Sequence, residues 1–135
     1  MLSAQQLNTF LSHEFPQCPA VVEQVGERSS TVRYKVDVSA LRPGGTVSGP
    51  TMMLLADVAL YAAILGTIGL VPLAVTTNLN INFLRKPQAD KDLIGVCTLL
   101  KLGKVLAVGE VSIYSEGEDE PVAHAVGTYS IPPKQ

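Results

Sequence analysis

Charge is scarce in this chain. Of its 135 residues only 16% are Asp, Glu, Lys or Arg, and between Arg42 and Arg85 the one charged side chain is Asp57. There is no basic stripe and the formal net charge is −2. That excludes non-specific nucleic-acid binding, which needs clustered Lys and Arg. Cysteine is nearly absent too: Cys18 and Cys97 are the pair present, far apart in sequence. They read as reduced thiols in a cytosolic protein, not as a disulfide framework. His13 and His124 have no further ligands at metal-binding spacing, so no metal site is expected. The N-terminus lacks a basic segment followed by an apolar one, so no secretory signal is expected and a cytoplasmic location is. Apolar residues are what the chain has in quantity. At 47% hydrophobic there is no compositional case for disorder, and the length suits one domain over 1–135 with a real core.

The apolar residues concentrate in Ser48–Gly69, with Asp57 inside the run. A lone carboxylate is expensive to bury without partners. Roughly 20 apolar residues could cross a membrane, but an Asp near the centre costs about 2.5–3.5 kcal/mol on insertion scales. Gly66, Gly69 and Pro72 cut the run short, and no Lys or Arg cluster flanks it. The expectation is a core helix, apolar on almost all sides because a sheet wraps it. Ser48-Gly49-Pro50 starts it with a small or hydroxyl cap and a proline tolerated in the first turn.

Ahead of this helix, residues 3–15 read as a short amphipathic docking helix within 1–16. Ser3 and Gln6 form a capping box, Leu2 and Leu7 a hydrophobic staple, and no chemistry is expected of it. From Ala20 to Val38 the period is two: Val32, Tyr34, Val36 and Val38 alternate with polar residues, and Arg28-Ser29-Ser30 is the expected turn. Leu41–Gly49 is a Pro- and Gly-rich connection. Four strand-like runs follow Pro72. In the first, Thr77, Leu79, Ile81 and Phe83 share one face, and Asn78, Asn80 and Asn82 the other. Residues 92–102 and 104–115 join at Gly103-Lys104, and 121–131 is the last run. The order fits an α+β fold: a curved antiparallel sheet of five to six strands around one long helix.

Ser48-Gly49-Pro50, Leu55-Ala56-Asp57, Val75-Thr76, Phe83-Leu84, Gly103-Lys104 and Ala125-Val126-Gly127-Thr128-Tyr129 occur in an order and spacing that resembles the hotdog-fold acyl-CoA thioesterases, in particular the phenylacetate-pathway (PaaI-like) branch. The resemblance covers roughly residues 40–131 and implies the hotdog fold, an acyl-CoA substrate, and a homodimer or homotetramer whose sheets pair edge to edge. It places the catalytic acid on Asp57 and the glycine whose N–H polarises the thioester carbonyl on Gly49. It places a water-positioning hydroxyl on Thr76, or on Thr77 with a one-residue slip. Two positions depart from the family pattern: Ser48 stands where many relatives carry His, and Arg42 where relatives often carry Asn.

Thioester hydrolysis needs an activated water or a carboxylate nucleophile, and donors aimed at the developing oxyanion. Asp57 could serve as the first and the helix start at Gly49 as the second. Eight residues of helix separate them by about 12 Å, so meeting at one carbonyl asks for a second copy of the chain. Plainer readings stand beside these. Asp57 could bond backbone groups or pair with Arg42 or Arg85. Ser48 could contact the substrate or be a helix cap only, and Tyr61 could donate to substrate or water or be a packing residue. Asn78, Asn80 and Asn82 could line an acyl or pantetheine channel or face solvent. Arg85, Lys86, Lys101 and Lys104 could meet coenzyme A phosphates or be solvated charges, and His124 reads as structural. No separate cofactor, nucleic acid or membrane partner is expected. The functional reading is acyl-CoA hydrolysis. A non-catalytic hotdog module that binds acyl-CoA as sensor or scaffold is the rival, and a hydratase the third possibility.

Overall fold

The computed structural model describes residues 1–37, 41–42 and 46–133, without the side chains of Arg42 and Thr46. The chain begins with α1 (Ala4–Glu14), closed at its start by the expected capping box. Ser3 N–H donates to Gln6 Oε1 at 2.8 Å, and Gln6 N–H to Ser3 Oγ at 3.1 Å. A hairpin follows, β1 (Ala20–Gly26) and β2 (Ser29–Tyr34), turning at Glu27-Arg28 with Arg28 at φ 58°. The strand pattern read through Val38 stops at Tyr34. Arg33 is gripped by Glu23, Asp92 and Glu116, and Asp92 also accepts from the Val36 N–H. Val38 lies outside the described residues. The connection contains a two-residue ribbon, β3 (Leu41–Arg42) paired with β4 (Thr46–Val47).

Then comes α2 (Gly49–Ile68), capped by Ser48. It is followed by β5 (Val75–Phe83), β6 (Leu93–Leu102), β7 (Leu106–Ser115) and β8 (Ala123–Ser130). The main sheet is antiparallel throughout, in the order β1-β2-β6-β7-β8-β5, and curls around α2. This is the hotdog arrangement that the resemblance implies. Close approach of helix and sheet depends on missing side chains: a Cβ at Gly109 or Gly127 would stand 2.7 or 2.4 Å from a Leu60 methyl carbon. Ser30 Oγ adds a buried bond to the Ala59 carbonyl at 2.7 Å.

By length and composition α2 could cross a membrane, yet 67% of its most apolar window is buried in the fold. Wrapping is less complete than the composition suggests. Met53 and Leu54 are exposed, and Asp57 and Val58 are half-buried, so one stripe of α2 is left open beside β5.

Candidate active site

Asp57 sits on that open stripe, at mid-helix, and it is neither buried nor alone. Thr76 Oγ1 donates to Asp57 Oδ1 at 2.6 Å. The Tyr129 hydroxyl lies 2.8 Å from the same oxygen and 3.2 Å from the Asp57 carbonyl. Both hydroxyls meet one oxygen. Among the described residues, Oδ2 has no protein partner. Arg85, one of the cations expected to neutralise Asp57, is instead tied to Glu120 and to the Pro121 carbonyl. The side chain of Arg42, the other, lies outside the described residues.

A β-bulge decides which threonine reaches the acid. Thr76 is paired directly with Tyr129, so the two side chains share a face. Strict alternation back from Phe83, Ile81 and Leu79 puts Thr77 on the inward face. The register shift between Thr76 and Asn78 spends Thr77 on the bulge and turns Thr76 inward. The face read as Thr77, Leu79, Ile81 and Phe83 is therefore corrected at its first member. Thr77 Oγ1 donates to the Thr128 carbonyl at 3.3 Å, and Asn78, Asn80 and Asn82 are exposed on the outer side, away from Asp57.

The Tyr129 phenol is held well above its ordinary pKa, first by burial and then by the Asp57 carboxylate. It remains a protonated donor. Tyr61, one turn beyond Asp57, is also raised by burial, with the Glu14 charge second. Its hydroxyl is committed to the Pro72 carbonyl at 3.1 Å, and what it offers the site is its ring. Beside Asp57 opens an apolar cleft of about 430 Å³ whose walls include Leu54, Val58, Tyr61, Ala74 and Val75. Its remaining wall is Leu11, Phe15 and Cys18 from α1 and the segment after it. The N-terminal helix, expected to dock only, is part of the cleft.

At the start of α2, Ser48 Oγ accepts from the Thr51 N–H at 3.3 Å and lies 2.7 Å from Thr51 Oγ1, an N-cap in geometry. The Gly49 N–H is in the first turn, where helix geometry leaves amides without intrahelical partners. A Cβ on Gly49 would meet the Phe83 ring at 3.2 Å, so the glycine lets that ring lie against the helix start. Gly49 and Asp57 stay about 12 Å apart along α2; one chain does not bring them to one carbonyl.

The remaining expected residues are scattered. Arg85 is exposed beside the acidic turn at 116–120. Lys104 is exposed in the β6–β7 turn, near Ile68 at the far end of α2 from Gly49. His124 Nε2 meets Glu110 Oε1 at 2.9 Å, on the outer side of the sheet. No group of three or more potential metal ligands occurs among the described residues. Tyr129 was missed as a site residue. Its signal was present, since it falls on the inward phase of the closing strand and must find a partner for its hydroxyl.

Comparison with known proteins bears on this arrangement. The sequence model of the thioesterase superfamily matches residues 44–122, which include both Gly49 and Asp57. The chain belongs to the thioesterase superfamily. Among solved structures, a candidate thioesterase from Silicibacter sp. is 45% identical over 98% of this chain and 94% of its own, with a TM-score of 0.92. Zebrafish thioesterase superfamily member 2 is 19% identical, covering 98% of this chain and 100% of that one, with a TM-score of 0.87. The E. coli PaaI protein of the phenylacetic acid degradation operon is 23% identical, covering 94% and 97%, with a TM-score of 0.77. The last two show the hotdog fold alone. No curated protein matches the chain. For this thioesterase-superfamily member, the family and its 45%-identical relative support thioester hydrolysis as the class of reaction.

Proposed function

We propose that the chain hydrolyses acyl-CoA thioesters as a homodimer or a dimer of dimers, with each site shared between two copies. The observation that carries this is Asp57: a carboxylate fixed through Oδ1 by Thr76 and Tyr129, with Oδ2 open at the mouth of an apolar cleft. Oδ2 takes a proton from a water as that water attacks the thioester carbonyl carbon. The oxyanion is received by the Gly49 N–H of the other copy, at the favourable end of its helix dipole. The C–S bond then breaks, and the coenzyme A sulfur leaves with the proton Asp57 held. Thr76, whose hydroxyl donates a hydrogen bond to Oδ1, orients the carboxylate. No further cofactor enters these steps.

The second copy is supported by the same surface. The edge of β5, which no described strand pairs, and the open stripe of α2 lie together, with Met53, Leu54, Val75, Phe83 and Leu84 exposed. An unpaired edge beside apolar side chains is a template for strand addition. Pairing β5 with β5 of a second chain would bring one α2 start toward the other chain's Asp57. Ser48 acts as the cap that holds this start. The coenzyme A half of the substrate rests on the family resemblance. Lys104 and Asn78 stand apart from the cleft, and Arg85 would reach a phosphate only by giving up Glu120.

The test is thiol release over a panel of acyl-CoAs, wild type beside Asp57→Asn. Turnover should fall by at least about a hundredfold, the scale of losing a general base, with the fold retained. An Asp57→Asn protein of near wild-type turnover would remove Asp57 from catalysis. Tight acyl-CoA binding with no release by the wild type would make the chain a binding module.

A further inference from the structure

Four aromatic rings run from the carboxylate into α1 and the segment that follows it. Tyr129 touches Asp57; its ring centroid is 6.0 Å from that of Tyr61. Tyr61 in turn lies 6.0 Å from Phe15, edge to face, and 6.3 Å from Phe10. The order sets Phe15 beyond the Tyr61 ring from the Tyr129 that touches Asp57, and Leu11, on the preceding turn, lines the same wall. The rest of the lining comes from α2, the connection after it, β5 and β8. This wall comes from α1 and the segment just after it, with Leu11, Phe15 and Cys18.

That wall is attached differently from the others. Leu7 and Leu11 seat α1 in the core, Asn8 bonds the Val22 backbone, and the Leu2 N–H bonds the Gly66 carbonyl. Phe15, the C-cap residue of α1, contributes to none of these anchors and is 48% exposed while still lining the cleft. A large ring that does little for the seating of its helix, yet closes a cleft, is free to serve selection.

We infer that Phe15, with Leu11 behind it, limits the length of acyl group that the cleft accepts, so that α1 is the selectivity element of the site. The inference rests on the acyl-CoA reading above. The cleft takes the acyl chain with its carbonyl at Asp57 and its tail toward Phe15, and removing the ring lengthens the slot. A single methylene in a hydrophobic pocket changes discrimination by about tenfold or more, so opening the end of the cleft should be visible in a chain-length series.

The experiment compares kcat/KM for hexanoyl-, octanoyl-, decanoyl- and dodecanoyl-CoA in the wild type, Phe15→Ala and Phe15→Leu. The ratio of dodecanoyl to hexanoyl activity should rise about tenfold in Phe15→Ala and by less in Phe15→Leu, in order of the volume removed. An equal change at every chain length, or an unchanged ratio, would overturn the inference, because a residue that only supports the fold alters all substrates alike. A second readout does not need turnover. Cys18 is half-buried and lines the cleft, whereas Cys97 is fully buried with its thiol pushed up to about 12 by burial, and so should stay silent. In the Asp57→Asn protein, dodecanoyl-CoA should slow alkylation of Cys18 by N-ethylmaleimide more strongly with Phe15→Ala added than without it. Equal protection in the two proteins counts against Phe15. If wild type hydrolyses none of the four substrates, hydrolysis of straight-chain acyl-CoAs of these lengths fails, and the protection experiment alone decides whether Phe15 limits the cleft.

Discussion

The two edges of the sheet are finished in opposite ways. At the β1 edge a bulge falls between Val22 and Gln24, and Asn8 from α1 takes up the Val22 backbone on both sides. Its amide nitrogen donates to the Val22 carbonyl at 2.8 Å, and its oxygen accepts from the Val22 N–H at 2.8 Å. Glu23 and Gln24 continue that edge into solvent. At the β5 edge no element among the described residues covers the strand, its outer side carries uncharged Asn78, Asn80 and Asn82, and Val75 and Phe83 are half exposed or more. Bulges, charges and covering segments are how sheets avoid edge-to-edge association. One edge is built to be left alone. The other has only a bulge near its start, and it is the edge beside Asp57. The site and the proposed assembly surface are therefore one region, while the opposite edge is closed by the helix that also walls the cleft.

The largest expected effect at the β5 edge is complementation between two inactive variants. Asp57→Asn and Gly49→Val should each be inactive alone, the second also displacing the Phe83 ring. Unfolded together and refolded, they should regain about a quarter of wild-type turnover, since half the dimers are mixed and each mixed dimer holds one intact site. No recovery in verified mixed dimers would show that the two residues do not serve a common site. Next in size is the β5 edge itself. Lysines at Asn80 and Asn82 together imitate the protection that this edge lacks, so sedimentation should move toward one-chain mass and turnover should drop about tenfold or more. Full activity in a one-chain species would defeat the shared site.

At the other edge, Asn8→Ala leaves the Val22 N–H and carbonyl to water and should cost about 1 kcal/mol. Denaturant unfolding would measure it, and mass should not change; association through a freed β1 would show that Asn8 guards the edge as well as bracing it. The smallest effect should be indifferent to both edges. The folded Tyr129 holds its proton above the ordinary tyrosine value. Its contribution is complete below about pH 10, where the unfolded phenol titrates, and is lost as pH rises toward the folded value. The melting temperature should therefore decline above that pH in the wild type and in the edge variants alike. A flat alkaline profile would mean that the Tyr129 phenol is no harder to ionise in the folded protein than in the unfolded chain.

Local chemistry made much of the molecule legible before any tertiary contact was known. Ser3 with Gln6, and Ser48 ahead of Gly49-Pro50, announce helix starts because their side chains satisfy first-turn amides that have no partner within the helix. Alternation in β2 and β5 to β8 and the helical run at 49–68 followed from apolar spacing, and the hotdog arrangement from their order. Legibility failed where a contact joins distant segments. Arg85 was a free candidate for Asp57 or a phosphate until the fold set Glu120 beside it. The α1 helix read as an accessory until Leu11 and Phe15 met the cleft.

What the sequence determined by itself was the set of periodic elements and the singular position of Asp57 in a stretch otherwise without charge. Both are properties of neighbouring residues, and hydrophobic spacing records them directly. What only the tertiary structure decided was the company that Asp57 keeps. Tyr129 lies 72 residues away from it in the chain. Thr76 reaches it because a single bulge reverses the face count of β5, and a bulge arises from pairing with β8, not from the residues of β5 alone. A period of two is counted within one strand, but its phase is set by the neighbour.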